Sequence, residues 1–172
     1  MIILGVDPGT QNLGFGVVEK TAKGVRYIAH GTLKTGKQPD FPSRLGVMGE
    51  KVALLFEKWS PQICVLEKIF LGRNVDSAFK LGHIRGVCMH YALRGKAELF
   101  EYTPRLVKQG ITGSGAATKE QVQMLLYSQL SLKWDPSLVT KELDASDALA
   151  LAFYHSMRID VLKRFAGSGV DL

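Results

Sequence analysis

Apolar positions recur along this chain with two different periods. Ile2, Ile3, Leu4 and Val6 form a short apolar run that ends in Asp7 and a Pro-Gly turn, and the stretches "LGFGVVEK" and "VRYIAHGTLKT" follow with turns between them. Three strands joined by short turns predict an antiparallel meander. After the loop "GKQPDFPS" the spacing changes: Leu45, Met48, Val52, Leu55 and Trp59 alternate steps of three and four, the stripe of an amphipathic helix that Pro61 stops.

From there strands and helices alternate. "ICVLE" reads as a short buried strand, "NVDSAFKLGHIRGVCMHYALRG" as a long helix ending at Gly95, and "AELFEY" as a fifth strand. "TPRLVKQG" reads as a short helix, "ITGSGAAT" as a Gly-rich loop, and Thr118 with Gln121 as the capping box of the next helix. "DASDALALAFYHSMR" carries the last one. A meander followed by alternating strands and helices predicts an α/β fold, a mixed sheet covered by helices. One domain over residues 1–165 is expected, with a short loose tail over 166–172.

Composition narrows the class. Hydrophobic residues at 46% and charged residues at 22% are ordinary for a folded globular chain. A net charge of +6 leans toward a polyanionic partner, although a scattered surplus of solvated Lys would produce the same total. Cys64 and Cys88 have neither metal-ligand nor disulfide spacing and read as core thiols of a reducing compartment. No run has the length of a membrane span, so a cytoplasmic protein without a membrane partner is expected.

The candidate chemistry lies in the acids. Two apolar strands each finish in a carboxylate, Asp7 and Glu67, and ligands of open α/β sheets sit beyond the carboxyl ends of strands. Either acid alone is explained by water or a nearby Lys; the repetition is what suggests a shared site. Asp144 and Asp147 lie three apart at a helix start, where capping accounts for one Asp better than for two. Four converging carboxylates would suit hard divalent cations, which take oxygen ligands and leave positions for water and phosphate. The four His residues have no metal-ligand spacing, and "GSGAATKE" lacks the spacing of a phosphate-binding loop.

Four segments in order, "ILGVDPGTQNLGFGVV", "LEKIFLGRNVDSAFKLGHIRGV", "EYTPRLVKQGITGSGAATKEQVQ" and "DASDALALA", resemble the RuvC family of bacterial Holliday junction resolvases, within the ribonuclease H-like superfamily. The resemblance covers nearly the whole chain. It implies a five-stranded mixed sheet with helices on both faces and catalytic, metal-binding acids at Asp7, Glu67, Asp144 and Asp147. It further implies Mg²⁺, with Mn²⁺ able to substitute and two ions per subunit, and hydrolysis of a DNA phosphodiester to 5′-phosphate and 3′-hydroxyl ends.

By the same resemblance, Phe70, Arg73, Asn74, Lys108 and Lys119 contact DNA, Phe70 by stacking on bases. The implied assembly is a homodimer that nicks two opposing strands of a four-way junction in recombination and repair, alongside a branch-migration motor of RuvA and RuvB. The column Ala78, Gly82, Gly86 permits close approach either to the protein's own sheet or to a second helix; the family's dimer favours the second. Three rival readings share these features. An Asp-x-Gly-Thr hairpin also occurs in actin-like ATPases, which need two such domains; a binder of branched DNA needs only charge and Phe70; and a ribonuclease H-like enzyme of RNA–DNA hybrids has the same acids.

Overall fold

The computed structural model describes residues 1–68, 75–133 and 143–166, with side chains of the last helix as far as Ile159. Among the described residues the strands are β1 (Ile2–Asp7), β2 (Asn12–Thr21), β3 (Gly24–Lys34), β4 (Ile63–Glu67) and β5 (Glu98–Tyr102). The helices are α1 (Phe41–Trp59), α2 (Val75–Arg94), α3 (Pro104–Thr112), α4 (Lys119–Gln129) and α5 (Leu143–Ala166). The sheet order is β3-β2-β1-β4-β5. β1–β2 and β2–β3 pair antiparallel, and β1–β4 and β4–β5 pair parallel. The mixed sheet expected from the element order is therefore present.

Alternation along the strands divides the core in two. Leu4, Val6, Cys64 and Leu66 point to one face and pack with Met48, Val52, Ile84 and Cys88 of α1 and α2. Ile3, Ile63 and Val65 point to the other, against Val107, Leu126, Leu149 and Phe153 of α3, α4 and α5. Both cysteines are buried free thiols, as their apolar surroundings suggested.

Three helix boundaries differ from the sequence reading by more than one residue. α1 starts at Phe41, inside the expected loop, because Asp40 caps it through Ser43 N (2.8 Å) and Pro42 fits a first turn whose N–H groups lack partners anyway. α3 continues to Thr112 and is closed by Gly113 in the left-handed region at φ 80°. α5 outlasts the expected segment and runs to Ala166. The capping box of Thr118 and Gln121 is formed in both directions. Of the loose tail expected over 166–172, Ala166 instead belongs to α5, and residues 167–172 lie outside the described residues. Among the described residues no helix is long and apolar enough to cross a membrane.

Candidate active site

The period of two that buries Val6 and Leu66 on the α1–α2 face turns the next residue of each strand, Asp7 and Glu67, toward α5. β1 and β4 are parallel neighbours with Val6 opposite Leu66, so both acids leave the sheet at the same end, side by side. α5 supplies the rest: Asp144 lies in its first turn and Asp147 one turn on. The sequence alone could not show these four acids meeting.

Glycines make the approach of α5 possible. A Cβ on Gly14, the β2 partner of Asp7, would stand 1.9 Å from the Asp144 carbonyl oxygen, and one on Gly5 would stand 2.0 Å from that of Ala148. Neither position has space for a side chain, so the backbone of α5 lies directly on the sheet and carries Asp144 and Asp147 to the strand ends.

The acids share one electrostatic neighbourhood. Burial, then the charges of Glu67, Asp147 and Asp144, push the Asp7 carboxyl up to about 8, against a smaller opposing pull from Lys119. Glu67 is raised as well, by burial and then by Asp147. Lys119, from the first turn of α4, donates to Asp147 Oδ2 at 2.5 Å. Burial pulls its ammonium down, but the bond to Asp147 and the charges of Asp147, Asp7 and Asp144 outweigh that, and the net direction is up.

Among the described residues no group of three or more His, Cys, Asp or Glu side chains is drawn close enough to hold an ion as it stands. The donor set is nevertheless of the right chemistry. It is all-oxygen and mutually repelling, and Lys119 is the cation now set against it. A hard divalent ion would offset the repulsion that, after burial, raises the Asp7 carboxyl.

A cleft of about 170 Å³ opens beside the acids, lined among others by Glu67, Lys108, Lys119, Asp147, Val107 and Leu151. Lys108 is tied to the Ala117 carbonyl at 2.9 Å, which brings it to the same cleft as Lys119. Phe70, Arg73 and Asn74 lie outside the described residues. Gly82 and Gly86 do not pack on the chain's own sheet: among the described residues a Cβ on either would meet nothing within 4 Å, and Val75 and Phe79 beside them are exposed, while Ala78 is partly buried.

One pair escaped the sequence reading. Arg85 of α2 donates from Nη1 to the Glu67 carbonyl at 2.5 Å and pairs through Nη2 with the Glu101 carboxylate of β5. The available signal was an arginine on a helix whose neighbours Ile84 and Cys88 are apolar.

The family described as crossover junction endodeoxyribonuclease RuvC matches residues 3–155. A crossover junction endodeoxyribonuclease RuvC of Bdellovibrio bacteriovorus is 47% identical over 159 residues, 92% of each chain. Among solved structures, RuvC of Thermus thermophilus superposes with a TM-score of 0.79 at 30% identity, covering 94% of this chain and 96% of that one. The same protein solved in complex with a Holliday junction substrate gives 0.80 at 26% identity, with the same coverage.

Proposed function

The chain belongs to the RuvC family of crossover junction endodeoxyribonucleases, and from that premise we propose that it resolves four-way DNA junctions by paired, metal-dependent hydrolysis of phosphodiesters. The observation that carries the reading to particular residues is the convergence of Glu67, Asp144 and Asp147 on the raised carboxyl of Asp7.

In this reading Asp7, Glu67, Asp144 and Asp147 hold Mg²⁺, or Mn²⁺ in its place, as two ions per subunit. Such ions, when bound, would supply positive charge for phosphodiester displacement and would acidify a water. The chain's own residues do the rest. Asp7, whose carboxyl burial and the neighbouring acids raise, would have to be ionised to hold a cation, and a bound cation would favour that ionised form. Lys119, released from Asp147, and Lys108, anchored at Ala117, present ammonium groups to the phosphate oxygens across the cleft. Water attacks phosphorus and the bond to the 3′ oxygen breaks, leaving a 3′-hydroxyl and a 5′-phosphate.

Phe70, Arg73 and Asn74 lie within seven residues after Glu67 in the chain and are assigned to the crossover, Phe70 stacking on bases for about 1–3 kcal/mol. The assembly is a homodimer. The open column Ala78, Gly82, Gly86, with Phe79 67% exposed beside it, is apolar surface of the kind a self-complementary interface covers. Two copies then present two identical sites to a substrate with two-fold symmetry. A branch-migration motor of RuvA and RuvB belongs to the same proposal.

The test is cleavage of a labelled mobile four-way junction in Mg²⁺, beside a linear duplex and an RNA–DNA hybrid of the same sequence, by wild type and Asp7→Asn. Symmetric nicks in the junction alone, abolished in a variant that still binds it, are expected. Cleavage of the hybrid would transfer the acids to another substrate, and binding without any cleavage would reduce the protein to a binder.

A further inference from the structure

The two bonds of Arg85 tie the end of β4 to the end of β5. β4 ends at Glu67, and the chain leaves the sheet at Lys68, whose N–H is tied to the Tyr102 carbonyl at 2.8 Å. The carbonyl of Glu67 is taken by Arg85 Nη1 at 2.5 Å, from the opposite side of the sheet to α5. The other arm of the guanidinium pairs with Glu101, which sits opposite Leu66 on β5. One rigid fork therefore spans the ends of two adjacent strands, and the peptide that follows Glu67 is held at both its oxygen and its nitrogen.

With the Arg85 side chain 14% exposed, the cation sits where it needs a partner, and Glu101, 33% exposed, supplies one. Rotation of that peptide would swing the Glu67 side chain relative to Asp7, because β4 and β1 are otherwise in fixed register.

We infer that Arg85 is a positioning residue: held by Glu101, it fixes the backbone at Glu67 so that the Glu67 carboxylate stays directed at the shared acid centre. The inference rests on the reading of that centre as a metal site. Lysine at position 85 keeps the charge but cannot bridge the carbonyl and Glu101 with a planar fork.

The experiment compares wild type, Arg85→Lys and Glu101→Gln by Mn²⁺ titration followed by electron paramagnetic resonance. It adds junction cleavage, junction affinity in metal-free buffer, and thermal melting. Arg85→Lys is expected to weaken Mn²⁺ binding and lower kcat by about 10-fold each, the range for residues that orient metal ligands, with junction affinity unchanged. Glu101→Gln, which leaves the buried Arg85 in place, is expected to move both quantities in the same direction by less, and it carries the test alone if Arg85→Lys does not fold.

A lower melting temperature with Mn²⁺ affinity and kcat at wild-type values would overturn the inference and leave a purely structural clamp. Failure of the wild type itself to bind Mn²⁺ would instead overturn the metal-centre reading on which it rests.

Discussion

Replacing Asp7 by Asn should stabilise the metal-free protein while destroying its activity, and the size of the gain follows from the site. The folded protein holds the Asp7 proton with a pKa of about 8, against 3.8 for an unperturbed carboxyl. The folded state thus binds the proton more tightly than the unfolded chain. The penalty is nearly absent below pH about 4, grows as the pH climbs from 4 to 8, and is constant above. At about 1.36 kcal/mol per pH unit, the interval from 3.8 to pH 7 amounts to about 4 kcal/mol.

Water reaching a half-buried carboxyl screens part of this, leaving about 2–4 kcal/mol for Asn to recover at pH 7. For a chain of this length that is about 5–15 °C in Tm. The assay is thermal melting of both proteins in a chelator from pH 4.5 to 9. The difference should be small at pH 4.5 and widen to a plateau near pH 8. A difference independent of pH, or a less stable Asn variant, would refute the crowding of acids around Asp7. Millimolar Mg²⁺ should raise the Tm of the wild type and leave that of the variant nearly unmoved.

Lys119→Ala should reduce the steepness of junction binding against log salt by about 0.9 if its ammonium meets a phosphate, and an unchanged slope would remove it from the contacts. Gly14→Ala forces a Cβ into the Asp144 carbonyl, so it should cost about 1–3 kcal/mol in urea unfolding and abolish cleavage; full activity would mean that α5 does not sit where the acids require it. Phe79→Asp should shift sedimentation from dimer to monomer and replace paired nicks with single ones, whereas an unaltered dimer would exclude this face of α2.

Much of this architecture is legible in local pattern. Strand alternation is a short-range property, so "IILGVD" and "ICVLE" displayed both their buried faces and the acids that terminate them. The Thr118 capping box is confined to four residues and could be read directly. What joins elements far apart in the chain was less accessible. The glycines of "LGFGVV" take their meaning from α5, which presses against Gly14 across 130 residues of chain.

Arg85 and Glu101 come from different elements and announce nothing separately. Helix starts misled where proline does two jobs: "DFPS" has the composition of a loop, yet Asp40 and Pro42 form the capped first turn of α1. The bare column Gly82–Gly86 could equally have packed inward, and only the packing of Ile84 and Cys88 on the sheet decided which side of α2 is exposed.

The most direct measurement is the number and affinity of Mn²⁺ ions bound per subunit, by electron paramagnetic resonance, in wild type and in Asp7→Asn, Glu67→Gln, Asp144→Asn and Asp147→Asn. Binding is expected in the wild type and should be weakened by each substitution, most severely at Asp7, whose carboxyl feels the charges of Glu67, Asp147 and Asp144. Substituted proteins that bind Mn²⁺ as tightly and in the same number as the wild type would contradict that expectation.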